Sequence, residues 1–196
     1  LFPEDMWLRL VKNLIDQESQ DINVHRTGAD RLAALIDRAI REGHERQLSL
    51  NVLSILHNLG KGYMRAEDYP RAIRAFDRAL KIDPDKENTR EALGDAYAQL
   101  GFRHTEQNRV DLAIEAYRQT LHFNPEDRLA RISLGWLLYY QERWQDAIEQ
   151  YQLALKQETD AEAQFALGLA FLASGDAITA KQTISEGIRL FGAEEA

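Results

Sequence analysis

The chain has 196 residues, 44% of them apolar and 29% charged, an ordinary composition for a globular protein with a substantial core. A net charge of -8 with no basic run argues against nucleic acid as a partner, because phosphate binding draws on clustered Lys and Arg. No cysteine is present, which removes disulfides, thiolate nucleophiles and cysteine-based zinc sites. No apolar run reaches the length of about 18 residues that direct membrane insertion requires.

The chain opens on Leu1 rather than Met, which suggests that a start, a signal peptide or an N-terminal anchor has been removed. A cytoplasmic location, or the soluble part of a membrane-anchored protein, is expected. Residues 1–27 form the first segment. Pro3, the acids Glu4 and Asp5, and the apolar set Trp7, Leu10, Val11 and Leu14 predict an amphipathic helix over 4–15. The polar run "DQESQDINVHRTG" reads as a linker. Next comes "LAALIDRAIREGH" at 32–44, whose "DRAI" echoes the "DRAL" of residues 77–80.

From Leu53 onward a periodic pattern takes over. Leu56, Leu59-Gly60, Tyr63, Ala72, Phe76, Ala79 and Pro84 fall at the spacings of the 34-residue tetratricopeptide (TPR) pattern, and the segment resembles a repeat of that family. The resemblance implies helix A over about 48–66, a tight turn at "AED", and helix B over about 69–82. Gly60 and Ala72 are small where the two helices cross, Tyr63 and Phe76 are large where a gap must be filled, and Pro84 cannot continue helix B. A second copy opens with Leu93-Gly94 and Tyr97 and closes with Ala113, Tyr117 and Pro125. A third carries Leu134-Gly135, Leu138, Ala147, Tyr151 and Ala154, and a fourth Leu167-Gly168, Phe171, Ala180 and Ile184. The implied fold class is all-α, a TPR superhelix or α-solenoid of antiparallel helix pairs. The implied TPR domain is 28–196: a half repeat or cap at 28–46, then repeats at about 47–86, 87–127, 128–160 and 161–196.

The second repeat departs from the pattern by seven extra residues between Tyr97 and Ala113. Seven residues are two helical turns less about 20°, so helix A can continue through "GFRHTEQ" with its stripe nearly in phase. Leu100-Gly101 even repeats Leu93-Gly94. Lengthening helix A alone by about 10 Å offsets the following repeats, however, which favours a loop protruding after Gly101. The sequence leaves helix and loop both open over 101–108.

Catalytic and metal chemistry finds little purchase. His25, His44, His57, His104 and His122 form no i, i+4 pair, and no HExxH is present. "LGKGYM" at 59–64 lacks the GxxxxGK[ST] spacing and falls mid-helix, where no free backbone N–H groups await a phosphate. No GxSxG, SxxK or dinucleotide fingerprint appears. The chain is expected to be no enzyme and to carry no cofactor and no metal.

"ISLGWLLYYQERW" at 132–144 carries two apolar stripes. At 100° per residue, Leu134, Gly135 and Leu138 face the array, while Ile132, Trp136, Tyr139 and Tyr140 form a second stripe more than 100° away. In proteins that this chain resembles, those helix A places line a concave groove that holds an extended peptide or a helix. The fourth repeat supplies Phe165, Leu169 and Leu172 there. The first supplies His57, Lys61, Met64 and Arg65, and the second Glu91, Asp95, Ala98 and Gln99. The expected groove is polar toward its N-terminal half and apolar toward its C-terminal half, and an apolar patch of several hundred Å² usually marks an interface.

The resemblance extends to TPR domains that clamp C-terminal carboxylates, but here the clamp places hold His57 and Lys61, Ala92, and Leu129 and Ser133, so that clamp is absent. Lys61 and Arg65 remain able to pair with an acidic end of a ligand. After Leu190 only "FGAEEA" follows, with no polar closing helix, which invites a homodimer. The expected function is a scaffold or assembly adaptor that binds a protein or peptide partner through an apolar or aromatic segment or helix. The alternatives are a self-assembling structural protein and an accessory domain of an enzyme.

Overall fold

The computed structural model of the protein describes residues 52–192 together with Thr27, Asp30, Ala33 and Ala34, which are helical. The amphipathic element expected at 4–15, the linker and most of the half repeat or cap lie outside the described residues. Over residues 52–192 eight helices follow one another, with no strand among the described residues: α1 Val52–Arg65, α2 Tyr69–Ile82, α3 Glu87–Glu106, α4 Val110–Phe123, α5 Arg128–Tyr140, α6 Trp144–Gln157, α7 Ala161–Ala173 and α8 Ala177–Phe191. They pair as A and B helices, α1 with α2, α5 with α6 and α7 with α8, and α5 and α7 each also pack on the B helix before them.

The turns fix the register. Glu67, Asn108, Glu142 and Gly175 all sit in left-handed backbone, with φ of 53°, 54°, 60° and 91°. The residue after each donates its N–H five residues back, from Asp68 to Tyr63, Arg109 to His104, Arg143 to Leu138 and Asp176 to Phe171, at 2.8–2.9 Å. This is a Schellman ending, which satisfies the carbonyls that a helix terminus leaves open. Only the last turn places glycine at the left-handed residue, so the other three pay a backbone cost for the same geometry.

Seven residues ahead of each left-handed residue stand Gly60, Gly101, Gly135 and Gly168. Each lies against the large side chain of its B helix: a Cβ there would come within 2.4 Å of Phe76, 3.0 Å of Tyr117, 2.5 Å of Tyr151 and 2.5 Å of Ile184, respectively. The second repeat is therefore keyed on Leu100-Gly101, and the expectation that Leu93-Gly94 opens it is corrected. The helix alternative for 101–108 holds and the loop does not: α3 runs unbroken to Glu106 and the turn occupies 107–109. The chain divides into two compact units between Gln99 and Leu100, inside α3. The extra turns lie at the N-terminal end of α3, where Thr89, Leu93 and Ala96 are buried, and its last turns hold Gly101 against α4.

In the first unit, Leu56, Leu59, Tyr63, Ala72, Ile73 and Phe76 are buried. Asp30 accepts a 3.0 Å hydrogen bond from the Tyr63 hydroxyl and an ion pair from Arg71 at 3.1 Å. Burial first, then Asp30, pushes the Tyr63 phenol up to about 12. His57 Nδ1 lies 3.1 Å from Thr89 Oγ1, and its ring tilts against Phe76 at 5.6 Å.

Burial, then the charges of Lys61 and Lys86, hold His57 below the ordinary histidine value of 6.5. A folded imidazole that resists its proton contributes stability fully above 6.5, and that contribution is lost as the pH falls toward the folded value. The thermal midpoint should therefore drop between about pH 7 and about pH 5. His57→Gln should make the drop shallower, leaving the share of His104, which burial and then Arg109 and Arg103 also lower. An unchanged slope in His57→Gln would remove His57 from this role.

In the second unit, one core runs from Ala113 and Tyr117 through Leu134, Leu138 and Tyr151 to Ala163, Leu167 and Ala170. Asp127 and Asp160 cap α5 and α7 by accepting from the N–H groups of Ala130 and Ala163 at 2.9 and 2.8 Å.

Candidate partner-binding face

An A helix must satisfy its own B helix and its neighbouring A helices, so it needs apolar residues in more than one direction. In α5, Leu134, Gly135 and Leu138 supply the first and are buried. The second stripe is graded. Ile132 is 3% exposed and belongs to the core, so it is not available to a partner, contrary to expectation. The same buried cluster takes in the small Ala163 and Ala166 of α7. Trp136 and Tyr139 are half-buried and packed against the core, whereas Tyr140 is 75% exposed.

Tyr140, Tyr139, Trp136 and Tyr151 form one aromatic cluster. Trp136 stacks on Tyr140 with centroids 6.1 Å apart at 27°, and meets Tyr139 and Tyr151 edge-on at 5.8 and 5.9 Å. The Trp136 indole Nε1–H donates to Glu162 Oε1 at 2.9 Å, which ties α5 to the first turn of α7. On α7, Phe165, Leu169 and Leu172 are exposed, as expected. The Phe165 ring lies beside Gly187 of α8.

The corrected register changes the second repeat. Counting from Gly101, the places that Glu91, Asp95, Ala98 and Gln99 were expected to fill belong, in that order, to Ala98, Phe102, Thr105 and Glu106. Phe102 is 56% exposed, so the apolar set of the second unit begins one repeat earlier than the sequence suggested. Leu129, named from the sequence only as holding a place of the absent clamp, and Glu162, which sequence reasoning missed, are further members. Both stand six residues before their repeat's glycine, and Leu129 is 67% exposed. That shared offset was the signal available in the sequence.

The same places in α1 lie in the first unit. His57 is half-buried and held by Thr89 and Phe76, while Lys61 and Arg65 are exposed.

The electrostatics of the second unit's set are one-sided. Its charged members are Glu106 and Glu162, both exposed, and no Lys or Arg occupies an equivalent place. The nearby Arg128 is already engaged by Asp160 and Glu158. Burial first, then Glu162, Tyr140 and Tyr139, pushes the Tyr151 hydroxyl far above the usual phenol range. Its oxygen is buried with no hydrogen-bond partner. Among the described residues no group of three or more His, Cys, Asp or Glu is placed to hold a metal ion, and no helix is long and apolar enough to cross a membrane.

Comparison with known proteins gives a consistent answer. The family description "Tetratricopeptide repeat" matches residues 51–125, and a second description of the same name matches 103–160 and 132–178. An uncharacterized protein ycf37 of Cyanophora paradoxa is 32% identical over 99 residues, which cover 50% of this chain and 56% of that protein. The human protein O-mannosyl-transferase TMTC1 is 26% identical over 99 residues, 50% of this chain and 11% of its own length. The chain thus spans from about a tenth to about half the length of these curated relatives. Among solved structures, MamA of AMB-1 superposes with a TM-score of 0.52 at 19% identity, covering 85% of this chain and 94% of MamA. At that identity the likeness is one of fold.

Proposed function

Because the chain belongs to the tetratricopeptide repeat family, a fold that generally serves as a scaffold, we propose that it is a non-catalytic interaction scaffold whose partner lies along the A helices of the second unit. The observation that carries this reading is the set Phe102, Leu129, Tyr140, Phe165, Leu169 and Leu172, large apolar side chains left exposed on the consecutive A helices α3, α5 and α7. Exposed apolar surface of this kind costs free energy until it is covered, and aromatic members concentrate binding energy. Taken by itself, the first unit offers Lys61 and Arg65 of α1 as cationic places for an acidic group of a ligand. A TPR domain beginning upstream, with the half repeat or cap at 28–46, is part of the same proposal. The Asp30 contacts to Tyr63 and Arg71 support it.

Trp136 is a poor probe because its ring also packs on Tyr151. Tyr140→Asp with Leu172→Asp changes side chains that are mostly exposed and costs only the outer Tyr140 ring contacts with Trp136 and Tyr139, so helical content should stay within about 5% of the parent while partner capture falls at least ~100-fold. Capture at full strength by this variant would place the binding surface elsewhere.

A second reading, assembly with copies of itself, is favoured by α8, where Ile178 and Ile188 are exposed. Against it, Lys181 stands where Ile73, Ile114 and Ile148 are buried in the earlier B helices, which makes this face poorer at receiving a further apolar layer. Light scattering separates the readings: a concentration-dependent dimer supports the second, a monomer the first.

A further inference from the structure

We propose that the Trp136–Tyr140 stack and Glu162 together form a receptor for one cationic side chain, Lys or Arg, carried by an otherwise apolar partner segment. This inference rests on the scaffold reading above and adds the chemistry of the ligand. Three observations converge on it. First, Tyr140 is 75% exposed and stacked on Trp136, so its outer ring face is open, and a cation over such a face is attracted by the ring quadrupole.

Second, Glu162 stands beside that stack with a polarity the rest of the protein does not answer. Its Oε1 takes the indole N–H of Trp136, which orients the carboxylate and leaves Oε2 for another donor. No basic side chain among the described residues pairs with it, and Glu106 is the other charge on this face. An apolar segment with no cation would bury this carboxylate or lie beside it without compensation, whereas a Lys or Arg answers it.

Third, the Tyr151 hydroxyl behind Trp136 is buried and unpartnered. The charge its oxygen feels is that of the Glu162 carboxylate, so this corner favours positive charge.

The test uses the full chain as bait for a displayed library of random 16-residue peptides, followed by fluorescence anisotropy on the peptides recovered. Recovered peptides should carry a Lys or Arg flanked by apolar residues, and replacing that residue by norleucine should weaken binding about 10-fold or more. Glu162→Gln keeps an oxygen to accept from Trp136, so it should fold normally and cause a similar loss, with weaker salt dependence than the parent.

Three results overturn the proposal, and they fail differently. Peptides that lack a cation, or that bind Glu162→Gln as tightly as the parent, remove the cation receptor while the scaffold reading stands. Recovery of no peptide, or of peptides indifferent to Tyr140→Asp with Leu172→Asp, removes the binding face itself. A dimer that Tyr140→Asp dissociates, or recovery of binding only after deletion of residues 4–15, makes the occupant a second copy or this chain's own Trp7–Leu14 segment.

Discussion

Gly135→Ala should destabilise the second unit by about 2 kcal/mol, although alanine is the better helix former by about 1 kcal/mol. A Cβ at residue 135 would lie 2.5 Å from Tyr151 Cε1, inside the contact distance of any real pair of carbons. The Tyr151 ring cannot retreat easily, since it is fully buried, with Leu138 and Ala147 beside it in the same core. Gly60→Ala meets the same obstacle in the fully buried Phe76, at 2.4 Å. Gly101→Ala meets Tyr117 only at 3.0 Å, where a shift of a few tenths of an ångström relieves the contact, so it should cost clearly less. Urea unfolding of the three variants checks the order. A Gly101→Ala loss equal to or larger than that of Gly135→Ala would contradict the packing described.

Tyr151 should show opposite signs on two substitutions. Tyr151→Ala removes a fully buried ring from between α5 and α6 and should cost about 3–5 kcal/mol, the range for large aromatic truncations. Tyr151→Phe removes only a buried hydroxyl that has no partner, so it should be neutral or stabilising by about 1 kcal/mol, or a rise of about 2–4 °C in the thermal midpoint. The equivalent place in α2 is Phe76, which shows that a plain phenyl ring fits this architecture. A loss of more than about 1 kcal/mol in Tyr151→Phe would mean that the hydroxyl is satisfied by something the geometry omits.

Both predictions test contacts readable from the chain before any coordinates. Gly135 and Tyr151 stand 16 residues apart, as do Gly60 with Phe76 and Gly168 with Ile184. This spacing carries a helix, a tight turn and the return of the next helix, all local steps. The exposure of Phe165, Leu169, Leu172 and Tyr140 was equally legible, because helical periodicity separates them from the stripe that packs on the B helix.

Two features were missed, for different reasons. Ile132 shares a stripe with Tyr139 and Trp136, yet it is core, in a cluster that extends to Ala163 and Ala166 of α7, more than 30 residues later. The choice between Leu93-Gly94 and Leu100-Gly101 escaped for a geometric reason. A slip of seven residues rotates the helix by only about 20°, so both pairs present nearly the same face and periodicity cannot tell them apart; only the 16-residue spacing from Gly101 to Tyr117, shared with the other three repeats, marks Gly101.

What the sequence determined by itself was therefore the set of helix pairs and the glycine-against-large-residue contact that joins each pair, since these depend on spacings within one repeat. The tertiary structure alone decided which aromatic and aliphatic side chains stay uncovered, leaving Phe102 and Tyr140 exposed while Ile132 is closed off. Those outcomes depend on where a neighbouring helix sits, a relation between distant residues that no local pattern encodes.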